Sequence, residues 1–332
     1  MPRYFVTGAT GFLGGELTKQ LIGRGHRVAA LVRTPGKAQL LRTLGVELHE
    51  GDITDRESLR ASMAGVDGLF HCAAWYKVGE ADNGIAERVN VGGTRNVLET
   101  MRELEIPKGV YTSTVAVFSD TKGEVPDETY RYDGPHLSEY DRTKWLAHYD
   151  VALPLMAGGL PLVVVMPGVI YGPGDTSGLH AALVDLLRKR LYFTPRRTAY
   201  CWAHVEDTAR AHILAMERGR SGEAYIITGP RHSFEHAFDL IASLAGVRPA
   251  VLHPGPRMLR SAAWLMEQLN GAVELPAMLT PEALRVMAGV TYFGSSDKAA
   301  RELEFTARPL AEGMEQTLEH ELRELQRDRP TP

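Results

Sequence analysis

Cysteine is scarce in this chain. Its 332 residues hold two, Cys72 and Cys201, far apart. A disulfide scaffold or a thiolate metal cluster needs more of them, closer together, so both read as small buried hydrophobes and no metal site is expected. Neither sign of charge dominates. A net charge of −4 supplies no basic stripe for nucleic acid and no polybasic run for a membrane surface. One uncharged stretch, Val151 to Gly174, is long enough to span a bilayer. Pro154, Pro161, Pro167, Pro173 and the Gly158-Gly159 pair break it into a helix end, a turn and the strand Leu162 to Met166. Internal repeats are absent, and low complexity is confined to the tail Arg329-Pro330-Thr331-Pro332. Met1 to Val6 run straight into a strand-like segment, which leaves no room for a signal peptide. The expectation is a soluble cytoplasmic protein with a small-molecule substrate and neither nucleic acid nor membrane as partner.

What is present is ordinary globular material, 44% hydrophobic and 23% charged, arranged as alternating strands and helices. Strand-like runs cover Tyr4 to Thr7, Val28 to Val32, Val46 to Glu50, Gly68 to Cys72, Gly109 to Ser113 and Leu162 to Met166. Helical patterns separate them: Phe12 to Arg24, Lys37 to Leu44, Glu57 to Ala64, a long helix Ala86 to Glu105, and another that carries Tyr140 and Lys144. This order predicts an α/β fold, a doubly wound parallel sheet of the Rossmann kind. Residues 1–174 are expected to form the dinucleotide-binding core. Residues 175–332 are expected to be mainly a smaller, mostly helical substrate lobe, with some segments returning to the core. Helices are expected at Met258 to Leu269, Pro281 to Met287 and Glu312 to Gln326.

The loop Thr7-Gly8-Ala9-Thr10-Gly11-Phe12-Leu13-Gly14 follows the first strand and opens the first helix. Gly8 permits the tight turn, Gly11 lets backbone approach a pyrophosphate, and Gly14 lets helix pack close on strand. Thr10, Phe12 and Leu13 complete the phosphate-binding turn, and the helix N-terminus supplies N–H groups and a positive dipole end. After the second strand an NAD enzyme usually places Asp or Glu for the ribose hydroxyl; here Arg33 stands there, with Lys37 four residues on. Two cations suit a 2′-phosphate, so NADP(H) is expected ahead of NAD(H), which stays open. Asp52 and Ile53, after the third strand, suit the adenine amino group and ring. Ala73 and Ala74, after the fourth, are small enough for backbone to pass a cofactor. His71 reads as structural.

Tyr140 and Lys144 stand four apart in Ser138-Glu139-Tyr140-Asp141-Arg142-Thr143-Lys144-Trp145 and share one helix face. A phenol has a reference pKa near 10. An ammonium beside it, together with a positive nicotinamide, favours the phenolate, so the Tyr140 value is expected to fall and the group to exchange a proton with a carbonyl oxygen.

Together these segments resemble the extended short-chain dehydrogenases/reductases, in the epimerase/dehydratase branch. The three-and-three glycine spacing fits, as do Asp52-Ile53, Cys72-Ala73-Ala74, Asn90 to Thr94, Thr112-Ser113-Thr114, Tyr140 with Lys144, the Pro167 to Gly174 turn and His204-Val205-Glu206-Asp207. These cover residues 1 to about 210 in order, and Asp297 to Leu303 also resembles a late helix of the family. The resemblance implies Tyr140 as general acid/base, Lys144 on the nicotinamide ribose, and cofactor contacts from Pro167, Gly168 and Val169. It implies Thr114 as the hydroxyl that holds the substrate oxygen, with Ser113 as competitor. Asn90 reads as a backbone-bonding structural residue. The two long helices allow a homodimer.

Carbonyl reduction, epimerisation and dehydration all occur in this branch. Many relatives carry an arginine four residues before the His204 motif; here Tyr200 stands there, with Arg196 and Arg197 nearby. The aromatics Trp75, Tyr76, Tyr200 and Trp202 suit an apolar or aromatic carbonyl, or else belong to the core. His71 to Tyr76 and Ser138 to Trp145 also look like bacterial proteins similar to dihydroflavonol reductase and 3β-hydroxysteroid dehydrogenase. An NADP-dependent aldehyde/ketone reductase is therefore expected, with a nucleotide-sugar epimerase or dehydratase retaining NAD as the alternative. The substrate pocket is expected from Trp75 to Asp82, Gly172 to Ala203 and the C-terminal lobe.

Overall fold

The computed structural model describes residues 1–76, 84–269 and 279–327. Residues 77–82 of the expected pocket stretch, and the tail from Arg329, lie outside them. Seven parallel strands form one sheet in the order β3-β2-β1-β4-β5-β6-β9. They are β1 (Arg3–Thr7), β2 (Arg27–Val32), β3 (Glu47–Glu50), β4 (Gly68–His71), β5 (Gly109–Thr112), β6 (Leu162–Pro167) and β9 (Ala224–Ile227). Alternation splits their side chains between two cores. Phe5, Leu69, Tyr111 and Val164 face one helical layer, while Val6, Phe70, Val110 and Val163 face the other. The first layer contains α3 (Arg56–Met63), α4 (Thr94–Glu103), α5 (Glu139–Leu146) and α6 (Leu153–Ala157). The second contains α1 (Phe12–Gly23), α2 (Gln39–Thr43), α8 (Val205–Arg218) and α12 (Asp297–Leu303).

A smaller sheet is built around β8 (Ala199–His204). It pairs in parallel with β7 (Val169–Tyr171) and β11 (Thr291–Tyr292) and antiparallel with β10 (Arg231–Ser233). Around it lie α7 (Gly178–Leu187), α9 (Phe234–Ala245), α10 (Pro256–Leu269), α11 (Pro281–Val286) and α13 (Leu310–Arg327).

Two expectations need correction, while the region after Gly174 is mostly helical as expected, with short strands among its helices and β9 returning to complete the main sheet. These strands have two to six residues, too short for a period of two to register against neighbouring helices. The Pro167 to Gly174 segment is not only a turn, since its middle is β7. The long helix Ala86 to Glu105 is also not regular. Glu87–Gly93 is wound as π-helix before α4 begins. There the buried Asn90 amide bonds the Trp75 backbone, its Oδ1 accepting from the Trp75 N–H at 2.7 Å and its Nδ2 donating to the Trp75 carbonyl at 2.9 Å.

Candidate active site

The sheet order reverses between β1 and β4, and the first glycine loop sits at that switch point, beyond the carboxyl ends of the strands. Gly8 holds φ +74°, and a Cβ there would meet the Ala73 nitrogen at 2.7 Å. A Cβ on Gly14 would lie 2.1 Å from the Gly8 carbonyl oxygen, so only glycine lets α1 pack this close behind β1. Gly11 is the N-cap of α1 and offers no side-chain acceptor, and the first turn carries no acid. The first N–H groups of α1 are therefore free for an anion. Thr10 and Gly11 are exposed, Phe12 is half-buried and Leu13 buried.

Around this loop the carboxyl edge presents the other expected residues. Arg33 and Lys37 are exposed, after β2 and in the 3-10 turn Pro35–Lys37. Neither has an ion-pair partner among the described residues. Asp52 turns one oxygen inward, Oδ1 accepting from the Thr54 N–H and hydroxyl at 2.8 Å each. Ile53 is buried against Gly93. Ala73 donates its N–H to Thr7 Oγ1 at 3.2 Å, and Ala73 and Ala74 are half-buried. Pro167 ends β6, and Gly168 leads into β7 so tightly that a Cβ would lie 2.2 Å from the Cys201 carbonyl oxygen. Val169 opens β7. These residues form a cradle that suits a dinucleotide: a side-chain-free helix end for phosphate, unpaired cations and a lining of small residues.

The three hydroxyl residues at the end of β5 separate by direction. Thr112 Oγ1 is 2.9 Å from His212 Nε2 on α8. Ser113 Oγ lies 2.9 Å from His148 Nδ1, in the π-helical turn after α5. Thr114 Oγ1 accepts from the Ala116 N–H at 3.1 Å, and its side chain is near enough to Tyr140 to work against the rise of the phenol's pKa. The hydroxyl that meets Tyr140 is thus Thr114, and Ser113 is committed elsewhere.

Lys144 is buried, and its Nζ donates to the Thr112 carbonyl at 2.8 Å and to the Tyr111 hydroxyl at 3.2 Å. Burial pushes this ammonium down to about 7, with Cys72 opposing. The Tyr140 hydroxyl is pushed the other way. Burial raises it to about 12, the nearby Thr114 opposing and Asp141 adding to the rise. Desolvation therefore dominates among the protein groups around this phenol.

Two further groups escaped the sequence. Asp141 is 3% exposed and accepts at Oδ2 from the Tyr292 hydroxyl at 2.9 Å. Burial pushes its carboxyl up to about 7, against the Tyr292 and Ser138 bonds. Tyr200 stacks on Tyr292 with ring centroids 5.9 Å apart. No local signal pairs residues this distant, although Ser138-x-x-Asp141 has the spacing of a helix cap, and Ser138 Oγ does accept from the Asp141 N–H. The four aromatics divide. Trp202 is core at 1% exposed, Tyr76 is 52% exposed, and Trp75 and Tyr200 lie between. His71 is structural, fully buried between the hydroxyls of Thr7 and Thr94.

Asp141 gives a prediction on stability. A carboxyl whose folded value lies above its unfolded value holds its proton more tightly when folded. Its contribution is present below about pH 4 and is lost as pH rises toward 7. Asp141→Asn keeps an acceptor for Tyr292 without the charge. The variant should be more stable than the parent by about 1–3 kcal/mol at pH 8 and nearly equal at pH 4. Urea midpoints at both pH values check this; an equal gap at both would refute it.

No helix among the described residues is long and apolar enough to cross a membrane. Nor do the described residues gather three or more metal-ligating side chains.

Residues 4–228 match the model of the NAD dependent epimerase/dehydratase family. The chain is 34% identical over 313 residues to a 4-hydroxy-2-methyl-3-oxo-4-farnesyl-3,4-dihydroquinoline-1-oxide ketoreductase of Stigmatella aurantiaca, covering 92% of each. It is 28% identical to a 3β-hydroxysteroid dehydrogenase/Δ5-4 isomerase of Mycobacterium tuberculosis, over 91% of this chain and 85% of that one. Among solved structures, gox2253 superposes with a TM-score of 0.85 at 30% identity, over 98% of this chain and 99% of its own.

Proposed function

Because the chain belongs to the NAD dependent epimerase/dehydratase family and is an enzyme of the extended short-chain dehydrogenase/reductase type, we propose that it is an NADP-dependent reductase. It reduces an aldehyde or ketone, or oxidises the matching alcohol, with Tyr140 as general acid/base. The observation that carries this reading is the placement of Thr114 beside Tyr140, with the Lys144 Nζ held on the Thr112 carbonyl at the end of β5.

In this reading the free N–H groups of α1 and the Gly8, Thr10, Gly11, Phe12, Leu13, Gly14 turn hold the pyrophosphate. Arg33 and Lys37 meet a 2′-phosphate. Asp52 and Ile53 receive the adenine, Ala73 and Ala74 line the path, Lys144 bonds the nicotinamide ribose, and Pro167, Gly168 and Val169 flank the ring. Bound there, the cofactor supplies or accepts a hydride. Thr114 and Tyr140 hold the substrate oxygen between two hydroxyls. With its value pushed up to about 12, Tyr140 enters the reduction protonated and gives its proton to the oxygen of the carbonyl. Lys144 keeps its position through the Thr112 carbonyl and orients the ribose.

An apolar or aromatic carbonyl is favoured. Tyr200, stacked on Tyr292, stands where many sugar-nucleotide relatives carry an arginine. The named activities of the Stigmatella and Mycobacterium relatives, on a farnesyl quinoline oxide and a steroid, agree with it. The test is to supply NADPH with a panel of apolar ketones and aldehydes and follow loss of NADPH absorbance. Identifying any cofactor carried through purification completes it. Tightly retained NAD with no net oxidation would overturn the reading in favour of epimerisation or dehydration.

A further inference from the structure

One edge of the C-terminal lobe combines exposed apolar side chains with unpaired cations. The segment Tyr192 to Arg196 lies along 252–254, the Leu252 N–H donating to the Tyr192 carbonyl at 3.1 Å and the Arg196 N–H to the Pro254 carbonyl at 3.0 Å. That pairing sets Tyr192, Val251 and Leu252 side by side at 68%, 77% and 60% exposure, directly before α10. The inner residues of α10, Leu259 and Ala263, are used against Leu284, Met287 and Ala288. Its outer residues Met258, Trp264 and Leu265 remain 67%, 63% and 49% exposed. Met258 and Leu265 are seven apart, as are Arg257 and Trp264, and Arg260 is four before Trp264, so they share one side of the helix.

Cations predominate on this edge. The run Arg188-Lys189-Arg190, the pair Arg196-Arg197, and Arg257 and Arg260 are all exposed. None has a carboxylate partner among the described residues. The neighbouring acids are engaged: Glu267 of α10 pairs with Arg285, and Glu235 lies 3.5 Å from His253. Elsewhere many arginines are paired, as Arg3, Arg56, Arg142 and Arg308 are.

We propose that this edge docks the enzyme on an anionic lipid bilayer, with the side chains of Tyr192, Leu252, Met258 and Trp264 in the headgroup and upper acyl region and the cations on lipid phosphates. Large exposed apolar groups without polar company are rare on a monomer and mark an interaction site. An aromatic at a wet–apolar boundary, aliphatic neighbours and a rim of arginine are what an interfacial segment needs. Each surface cation adds about 1 kcal/mol of attraction to an anionic leaflet. A second copy of the chain is disfavoured, because an isologous contact would set these cations against themselves. Nucleic acid would use the cations but gains nothing from Val251, Leu252, Met258 and Leu265. The inference is independent of the proposed redox chemistry.

The test is sedimentation of the full chain with vesicles of phosphatidylcholine, with and without about a third phosphatidylglycerol. Binding is expected to the anionic vesicles only, and it should fall at least tenfold in about 0.5 M salt, where screening is short-ranged. Two variants divide the contributions: Tyr192→Ser with Leu252→Ser and Met258→Ser, and Arg188→Glu with Arg257→Glu. Each should weaken binding about tenfold or more while the far-ultraviolet circular dichroism and cofactor affinity stay as in the parent. Bromine-labelled lipid should quench the fluorescence of Trp264. Failure to bind anionic vesicles, or binding that neither variant weakens, overturns the proposal. So does self-association, or binding to duplex DNA, that the same variants abolish in the absence of vesicle binding.

Discussion

Tyr140→Phe is expected to lower kcat for carbonyl reduction by about 10²–10⁴-fold, the usual range for losing a positioned proton donor. NADPH affinity should change less than about twofold, since the ring and its packing remain. The physical case rests on two features of the site. The hydroxyl lies beside Thr114, the second hydroxyl of the proposed substrate contact, and burial pushes its value up to about 12. A group with that value is protonated throughout the neutral range, so reduction should vary little with pH near neutrality. Alcohol oxidation needs the phenolate and should speed up as pH rises. Steady-state kinetics in both directions across pH, with a fluorescence titration of NADPH, check the prediction. A Phe variant that keeps its kcat would remove Tyr140 from the chemistry. A loss confined to KM would make it a binding group only.

The glycine loop was legible from sequence because its demands are local. A strand, a positive-φ glycine and a helix start lie within a dozen residues, and each glycine answers a contact made by its near neighbours or by Ala73. Thr114 was legible as one of two hydroxyls, and the backbone just beyond β5 separates them: Ser113 meets His148 and Thr114 lies beside Tyr140. The Asp141–Tyr292 contact was not legible, since its partners are 151 residues apart and Tyr292 lies on a two-residue strand. The desolvation of Tyr140 was not legible for a related reason. Spacing along a helix reports that an ammonium is near, but the competing desolvation depends on everything else packed around the phenol. The cationic edge of the lobe was hidden because its charges come from separate segments, each too short to read as polybasic.

Arg33 is where a local signal can be tested against a global one, since a single side chain is asked to set cofactor choice. It follows β2 directly, is exposed, and has no carboxylate to neutralise it among the described residues. A free guanidinium at the ribose end of a dinucleotide cradle can pair bidentately with a 2′-phosphate and is left facing a hydroxyl when that phosphate is missing. A charge-assisted bond of this kind contributes about 1.5–3 kcal/mol. Arg33→Ala should therefore raise KM for NADPH by about 10–100-fold and leave KM for NADH within about threefold. Lys37→Ala should act in the same direction with a smaller effect, because an ammonium on a flexible stem makes no bidentate contact. Added salt should raise KM for NADPH in the parent and less in the Arg33 variant. Arg33→Asp should go further, repelling the phosphate while offering an acceptor to the ribose hydroxyl, and so reverse the preference. Steady-state kinetics with each cofactor at saturating carbonyl decide the matter. If NADH and NADPH lose equally, Arg33 covers the adenine ring and does not read the phosphate, and NADP selection must come from elsewhere in the chain.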